Sequence, residues 1–439
     1  MSHRNPFVYG RAVSGEECIP RGDQLQTVFN RLRNGESTAV IGEPHIGKTS
    51  FLLQLTDKTI QQDYLDDDDR RMFFASMDLH ALGDEETPQT FWRETLAPLA
   101  KLRLPGVQSA LERAARNQYN RQTLEALFSE LAARNCLLVL LLDEFERLLK
   151  HPQFKDPGFF GLLRSLSTRT GGLALVLASR LHVRELNELG RGLLDTGSPF
   201  FNHTVDILLP PFTDEEIERL LERAEPPFSE EERLFIRRAA GRNPYLLQAM
   251  AGALYETPSS PARCEKAAET FYRRAALTYF DDLWVWMDDE TRAIAVILAM
   301  QELGGRALGS HFNYGEIERV DRYGPELQKL AERGLAELLE TKRRGWIWDG
   351  KNLLVWRGQR WGLGCAAFSW WVRDVAAASA RSIPAYDEWL RQKKYIGFLT
   401  QKQWDDAGRL LQKIPASMLS GVGALAKSLW NEINTRQAQ

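Results

Sequence analysis

The sequence predicts an α/β fold built around a parallel sheet of five strands that is flanked by helices. Short apolar runs of strand length alternate with segments whose apolar residues recur at helical spacing. One strand–helix junction carries a glycine-rich loop, and another strand ends in two adjacent acids. Open sheets of this class bind ligands at the carboxyl ends of their strands, where both features are expected to lie.

The glycine-rich loop at residues 42–49 fits the phosphate-binding pattern G-x-x-x-x-G-K-[ST] without a mismatch. It follows the apolar run Ser37–Ile41 and leads into an apolar segment of helical length, the order of elements that the motif requires. Gly42 and Gly47 permit backbone conformations that a Cβ would block, so that N–H groups can surround a phosphate. The residues predicted to contact a nucleoside triphosphate are Gly42, Glu43, Pro44, His45, Ile46, Gly47, Lys48, Thr49 and Ser50.

Two side chains of this loop have predicted roles of their own. Lys48 is expected to reach the β- and γ-phosphates, and the Thr49 hydroxyl is expected to ligate Mg²⁺. The helix that begins at Lys48 adds the positive end of its dipole. A chance glycine turn before a helix is the alternative, and the order of strand, loop and helix argues against it.

The most apolar run of the chain, Cys136–Leu142, is predicted to be a strand that is covered on both faces. Asp143 and Glu144 end it. At the carboxyl end of such a strand Asp143 can hold Mg²⁺, and Glu144 can act as the catalytic base that orients and deprotonates an attacking water. The alternative is that Asp143 caps a following helix at Phe145–Lys150.

A third apolar run, Leu173–Ala178, ends in Ser179 and Arg180. In a sheet with the phosphate-loop strand at its centre, this strand lies between that strand and the acidic one. The Arg180 guanidinium would then face the γ-phosphate, where it could sense the triphosphate or stabilise charge that develops during transfer. The alternative is a surface arginine that follows a strand.

The remaining elements around the sheet follow from the same periodicities. Two further strands are predicted at Arg71–Asp78 and His203–Leu209. The predicted helices are Gln24–Arg33, Thr90–Lys101, Leu111–Arg134 and Pro157–Thr170.

The pattern changes at Pro210-Pro211. Thr213 and the acids behind it predict a capped helix, and the ~70 residues that follow are helical in pattern and form a candidate lid. Beyond the lid, three predicted helices and a hairpin that turns at Asp349-Gly350 indicate a winged helix; the helices are Asp289–Gln301, Asn313–Arg319 and Glu326–Leu338. Three short helices are predicted at the end: Tyr386–Tyr395, Gln401–Lys413 and Val422–Ile433. The predicted domains are residues 1–210 for the nucleotide-binding domain, 211–280 for the lid, 281–378 for the winged helix and 379–439 for a helical module.

The predicted hairpin at residues 342–361 is rich in basic and aromatic side chains. Its basic residues are Lys342, Arg343, Arg344, Lys351, Arg357 and Arg360, and its tryptophans are Trp346, Trp348, Trp356 and Trp361. Such a composition could grip a nucleic-acid backbone. The alternative is that the tryptophans pack the hairpin onto the helices while the charges stay solvated.

Composition limits the partners of the whole chain. A formal net charge of −3 gives no electrostatic case for nucleic acid or an anionic membrane, so nucleic-acid binding would need a local patch. The four cysteines are scattered, which argues against a zinc site or a disulfide framework and for a reducing cytoplasm. No apolar run approaches the ~20 residues of a membrane-spanning helix, and the amino terminus lacks a signal-sequence pattern. We expect a cytoplasmic protein with no membrane partner.

Taken together, these motifs resemble the STAND-type P-loop NTPases of the AAA+/ASCE class, near bacterial and archaeal ATPases that are related to origin-recognition ATPases. The matching segments are Asn5–Gly10, Ile19–Leu25, the phosphate loop, the strand that ends at Asp143-Glu144, Ser179-Arg180 and Gly241–Leu246. The resemblance implies adenine-side contacts near Arg21, a lid whose Pro244 lies near the base, and an arginine, Arg180, that reads the γ-phosphate.

The resemblance also implies a function. The chain is expected to bind ATP with Mg²⁺, to hydrolyse it slowly or under regulation, and to act as a signalling switch in a bacterial signalling or defence system. A protein partner or effector and a nucleotide-dependent homo- or hetero-oligomer are expected with this role. The alternative is a DNA-binding AAA+-like ATPase, of origin or transposition type, that places its winged helix on DNA.

Overall fold

The computed structural model describes residues 4–65, 70–194, 199–288, 291–292, 294–295, 298–299, 306–307, 310–311, 324–346, 353–379 and 422–437. Packing divides the chain into two compact units. The sheet unit is Arg11–Leu209, and the helical unit combines Met1–Gly10 with Pro210–Gln439. The chain therefore passes from one unit to the other at Gly10–Arg11 and at Leu209–Pro210.

The sheet unit contains five parallel strands in the order β2-β3-β4-β1-β5. The strands are β1 Thr38–Ile41, β2 Arg71–Asp78, β3 Cys136–Asp143, β4 Leu173–Ser179 and β5 Val205–Leu208. The predicted five-stranded parallel sheet is confirmed, and β4 lies between β1 and β3 as expected. The expectation that the phosphate-loop strand is central is wrong, because β4 occupies the middle and β1 lies next to the edge strand β5.

Nine helices are described in the sheet unit, and two of the predicted ones are divided. The nine are α1 Gly22–Arg33, α2 Lys48–Thr56, α3 Lys58–Tyr64, α4 Pro88–Thr95, α5 Pro105–Arg116, α6 Arg121–Ala133, α7 Glu146–Lys150, α8 Pro157–Arg169 and α9 Val183–Leu194. The helix predicted at Leu111–Arg134 breaks because Gln118 and Tyr119 both have a φ of 53° and Asn120 caps α6. The α-helix predicted to reach Lys101 ends at Thr95, and a separate 3₁₀ helix spans Ala97–Lys101.

Strand β3 explains why the apolar run is unbroken. Its even-numbered residues, including Leu138 and Leu140, belong to one hydrophobic core, and its odd-numbered residues, including Val139 and Leu141, belong to the core on the opposite face. Every residue of β3 and β4 is buried. A strand that is covered on both faces has no solvent-facing position for a polar side chain, so alternation disappears.

The helical unit begins with five helices: α10 Asp214–Leu221, α11 Glu230–Ala240, α12 Pro244–Glu256, α13 Arg263–Phe271 and α14 Leu277–Trp286. Thr213 caps α10 through a capping box with Glu216, as the sequence indicates. The amino-terminal segment packs on α12. Val8 N–H donates to Gln248 Oε1 at 3.1 Å, and the Phe7 ring stacks on Phe228 at 5.7 Å.

The rest of the helical unit includes a long hairpin between two helices. Helix α15 Gly324–Glu332 leads to β8 Ala336–Trp346, which pairs antiparallel with β9 Leu353–Leu363, and α16 Ala366–Ser379 follows. The helix predicted to extend to Leu338 is wrong beyond Glu332, because Gly334 adopts a φ of 72° and ends it. Two short strands, β6 Arg306–Ala307 and β7 Ser310–His311, pair before α15.

The final described helix is α17 Val422–Gln437, where the sequence predicts one, and its Trp430 contacts Phe235 of α11 at 5.8 Å. Several predicted elements lie outside the described residues: the helices Asn313–Arg319, Tyr386–Tyr395 and Gln401–Lys413, the turn Asp349-Gly350, and part of Asp289–Gln301. The winged helix and the division into four domains therefore stay predictions. Among the helices that the structure describes, none is long and apolar enough to cross a membrane.

Candidate nucleotide-binding site

The loop between β1 and α2 depends on glycine at two positions. Gly47 has a φ of 99° immediately before the first residue of α2. A Cβ on Gly42 would lie 2.6 Å from Ile46 Cγ2, so a larger residue would force the loop apart. The Gly42 N–H donates to Ser179 O at the end of β4 at 3.1 Å, which fixes the start of the loop against the neighbouring strand. His45 also has a positive φ, at 61°.

Lys48 is buried inside this loop. Its Nζ donates to Gly42 O at 2.9 Å and to Glu43 O at 3.1 Å. Burial lowers the pKa of Lys48, and the negative charges of Glu144, Glu146, Asp143 and Glu43 oppose that shift. The ammonium group is thus held by loop carbonyls at the start of α2, where the positive end of the helix also favours an anion.

Thr49 and Asp143 meet although 94 residues separate them in sequence. Thr49 Oγ1 donates to Asp143 Oδ2 at 2.5 Å, and Asp143 Oδ1 accepts the Glu144 N–H at 3.0 Å. The first turn of α7 receives no side-chain cap, so capping of that helix is not what Asp143 does. A hydroxyl and a carboxylate in contact are hard oxygen donors of the kind that Mg²⁺ takes, so this pair fits the cation.

Glu144 is held in a conformation that is uncommon for a residue with a side chain. Its φ is 53°, in the left-handed region. Burial raises the pKa of the Glu144 carboxyl; the charges of Lys48 and Arg180 lower it, and those of Glu146 and Asp143 raise it further. Backbone strain together with a raised carboxyl pKa is typical of functional positions, and the second property suits a general base.

Arg180 follows β4 and pairs with an acid that sequence analysis missed. Arg180 Nε lies 3.3 Å from Glu146 Oε1, and Ser179 Oγ donates to Glu146 Oε2 at 2.6 Å. Glu146 starts α7, and acids are so common in the first turn of a helix that its presence gives no signal. Only the pairing of β3 with β4 shows that this side chain turns inward toward residues 179 and 180.

The other predicted contacts are Arg21, Ser50 and Pro244. Arg21 is buried before α1, and its N–H donates to Gln54 Oε1 at 3.4 Å. Ser50 Oγ accepts the Val13 N–H at 3.1 Å. Pro244 is the first residue of α12, in the helical unit, and Asn243 caps that helix. The adenine-side roles of Arg21 and Pro244 stay predictions.

The chain matches a known protein family, and its fold is shared with a solved structure. Residues 24–284 match the AAA-like domain family. The Walker-type ATPase of Pyrococcus abyssi is 14% identical over 84% of this chain and 99% of that one, with a TM-score of 0.50, which shows a shared fold. The Aeropyrum pernix ORC2 protein in its ADPNP-ADP complexes is 15% identical over 86% and 99% of the two chains, with a TM-score of 0.47. Cdc6p from Pyrobaculum aerophilum is 15% identical over 82% and 97%, with a TM-score of 0.35. No curated protein shows significant similarity to the chain.

Proposed function

The chain belongs to the AAA-like domain family, and we propose that it binds ATP with Mg²⁺ and hydrolyses the bond between its β- and γ-phosphates. The proposed site lies at the carboxyl ends of β1, β3 and β4. One observation carries the proposal. Thr49, which directly follows Lys48 of the loop motif, contacts Asp143 at the end of β3 at 2.5 Å. The two halves of a nucleotide site that the sequence predicts separately are therefore in contact.

In this proposal the loop and Lys48 bind the phosphates. The Lys48 ammonium exchanges its contacts with Gly42 O and Glu43 O for phosphate oxygens, which accept more strongly than neutral carbonyls. Thr49 and Asp143 would hold Mg²⁺, which neutralises charge on the phosphate oxygens when it is bound. Arg21 and Pro244 are proposed to lie on the adenine side, as the family resemblance implies.

Hydrolysis is assigned to Glu144 and Arg180. A carboxylate whose pKa is raised by burial accepts a proton from water more readily than an ordinary glutamate does. The Arg180 guanidinium follows the strand next to the phosphate loop and supplies positive charge where negative charge develops during transfer. Both residues lie in the sheet unit with the loop.

We propose further that the nucleotide state controls a protein partner, in the manner of a STAND-type switch. The amino-terminal segment supports this. Val8 is hydrogen-bonded to Gln248 in α12, and five residues later Val13 is hydrogen-bonded to Ser50 in α2, directly after the phosphate loop. The chain crosses between the two units at Gly10–Arg11, between these two contacts, and we propose that a nucleotide-dependent change is transmitted along it. A ligand shifts such an arrangement only by its differential affinity, so ATP and ADP must differ in their contacts.

Nucleic-acid binding is the second candidate function. The pairing of β8 with β9 places the basic residues Lys342 and Arg357 opposite each other. A hairpin with several basic positions offers phosphates a local patch that the acidic chain as a whole does not. DNA affinity of the full chain that falls steeply with salt, and falls further when Lys342 and Arg357 are changed to Ala, would favour this candidate over a purely protein-directed switch.

The proposed function is tested by titrating the full chain with ATP and ADP in the presence of Mg²⁺ and by measuring phosphate release. We expect binding of both nucleotides, slow turnover, and a change in size or assembly between the ATP and ADP states by small-angle scattering. Arg180→Ala is expected to bind ADP normally and to lose most of that difference. Absence of nucleotide binding would reject the proposal, whereas binding without a change in size or assembly would reject only the switch.

A further inference from the structure

Glu146 is a buried carboxylate next to the proposed nucleotide site. Its side chain is 3% exposed, although it is the first residue of the short helix α7. Removing a carboxylate from water is unfavourable unless partners replace the lost solvation. The partners here are Ser179, the last residue of β4, and Arg180, which follows it: Ser179 Oγ donates to Oε2 at 2.6 Å, and Arg180 Nε lies 3.3 Å from Oε1.

The two oxygens of this carboxylate are not equally satisfied. Oε2 receives the Ser179 hydrogen bond, whereas Oε1 is buried and accepts no hydrogen bond from the described residues. The contact of Oε1 with Arg180 is therefore an ion pair that lacks hydrogen-bond geometry. A small rotation of the guanidinium would convert it into a charge-assisted hydrogen bond, which is stronger and more directional.

The position of Glu146 connects it to the phosphate loop through β4. Ser179 O accepts the Gly42 N–H, and Ser179 Oγ accepts the Leu181 N–H while donating to Glu146. The residue that precedes Arg180 is thus fixed on both sides. The Glu146 charge also acts within the site: burial lowers the pKa of Lys48 and Glu146 opposes that shift, and burial raises the pKa of Glu144 and Glu146 adds to it.

We propose that Glu146 is the positioning residue of Arg180, holding the guanidinium by its Nε edge so that the arginine is directed at the terminal phosphate of a bound triphosphate. This inference rests on the proposed ATP site and adds to it a residue that does not itself touch the nucleotide. An arginine whose Nε is engaged by a fixed carboxylate loses rotational freedom before binding, so less entropy is lost when a phosphate binds.

Glu146→Gln separates this role from simple packing, because it keeps the shape of the side chain. If the glutamine oxygen keeps the Ser179 hydrogen bond, its NH₂ group faces the Arg180 Nε–H, and two donors oppose each other. If the amide is flipped, the Ser179 contact is lost instead. In both arrangements the guanidinium is no longer fixed by a carboxylate, while the volume of the buried site is unchanged.

The test is a double-mutant cycle on nucleotide selectivity with wild type, Glu146→Gln, Arg180→Ala and the double variant. Affinity for ATP and for ADP is measured for each by calorimetry with Mg²⁺. We expect ADP affinity to stay near the wild-type value in all four, because ADP lacks the terminal phosphate. ATP affinity should fall about 10-fold in each single variant and no further in the double variant, since both changes remove one interaction. Glu232→Gln, which neutralises a carboxylate paired with Arg263 at 2.6 Å in the helical unit, is the matched control and should leave both affinities unchanged.

Three results would overturn the inference: equal losses for ATP and ADP, additive losses in the double variant, or a gain in ATP selectivity in Glu146→Gln, which would mean that the acid withholds the arginine. If the wild type binds neither nucleotide, the proposed function fails, and a nucleotide-independent measurement decides about Glu146. The ¹⁵N signal of the Arg180 Nε–H, assigned with Arg180→Lys, should relax as a rigid group in the nucleotide-free wild type and as a mobile group in Glu146→Gln; equal mobility in both would reject the positioning role.

Discussion

Arginine meets acid in both units, but in opposite settings. In the helical unit Asp214 pairs with Arg237 and with Arg242, and its side chain is 54% exposed. At the β4 end of the sheet unit Glu146 pairs with Arg180 at 3% exposure. Solvent screens the first pairing, so each contact there is worth ~1 kcal/mol or less. The second lies beside a strained Glu144 and a buried Lys48.

The balance of charge differs as well. Four carboxylates act on the single ammonium of Lys48, those of Glu144, Glu146, Asp143 and Glu43. In the helical unit Arg242 forms ion pairs with both Asp214 and Glu337, and Asp214 also pairs with Arg237, so the charges in this group balance. Two of the carboxylates that act on Lys48, those of Asp143 and Glu146, are buried, and burying a negative charge is unfavourable unless partners replace the lost solvation. A divalent cation bound at the proposed nucleotide site would offset this unfavourable contribution.

Among the variants that distinguish the proposed nucleotide site from the helical unit, Glu144→Gln is expected to have the largest effect, a loss of turnover. The variant keeps the shape of the side chain and removes the proposed base, so ATP binding should persist while turnover falls about 10²–10⁴-fold. Single-turnover hydrolysis and calorimetric titration measure the two quantities separately. Turnover equal to that of an active wild type would assign the base to another residue.

Much of this site can be predicted from sequence because its signals are local. Strands β3 and β4 are each predicted to within one residue, because buried parallel strands are unbroken apolar runs. The bounds of the partly exposed edge strand β2 are also predicted without error. The phosphate loop is recognised by its glycine and lysine spacing. The inward position of Glu146 cannot be predicted in this way. It depends on strand order, since only the placement of β4 beside β3 brings Ser179 and Arg180 to α7.

The errors have local physical causes too. Gln118 and Tyr119 adopt the left-handed region although neither is glycine or asparagine, the residues that favour it. The sequence therefore predicts one long helix where the structure has two. Apolar periodicity continues to Leu338, but Gly334 adopts a left-handed conformation and the helix ends before it. Both errors concern elements away from the β-strand ends, and neither changes the set of residues that the loop and β3 bring together.

Removal of Mg²⁺ should have the next largest effect. Because carboxylates surround the phosphate loop, ATP without the cation is repelled by them, and we expect its affinity to fall about 10-fold or more in EDTA. ADP should lose less, because it carries less negative charge. Titrations with and without EDTA measure both losses, and Thr49→Ala in the presence of Mg²⁺ should reproduce part of the ATP loss. If the affinities for ATP and ADP do not change in EDTA, Thr49 and Asp143 do not bind a metal ion.

Acidification should act on hydrolysis and on stability in opposite directions. Hydrolysis needs Glu144 ionised, and burial raises the pKa of that carboxyl above the ordinary value of 4.5. Turnover is therefore expected to be lost as the pH falls through the raised pKa, about tenfold per pH unit below it. Stability has the opposite sign: a raised folded-state pKa favours the protonated form, so the Glu144 contribution to stability grows as the pH falls and is lost as the pH rises. A rate that stays constant down to pH 4.5 would contradict the role of Glu144 as base.

The smallest effect is expected in the helical unit. Arg237→Ala removes an exposed ion pair with Asp214 and should lower the free energy of unfolding by ~1 kcal/mol or less. Affinities for ATP and ADP should stay within about twofold of the wild type, which is the range expected for a distant, uncoupled site. Urea denaturation and nucleotide titration check the two statements. A large loss of ATP selectivity in Arg237→Ala would contradict the view that the Asp214 ion pairs serve stability alone.

The central claim is that the loop between β1 and α2 binds the phosphates of ATP through Lys48, and one titration tests it most directly. Wild type and Lys48→Ala are titrated with ATP and Mg²⁺ in a calorimeter, with circular dichroism spectra and melting curves recorded for both to establish that the variant is folded. We predict that the wild type binds and that the folded variant loses about 100-fold or more in affinity, because the buried Lys48 ammonium beside the loop carbonyls is gone. Near-wild-type affinity in a folded Lys48→Ala variant would contradict the account.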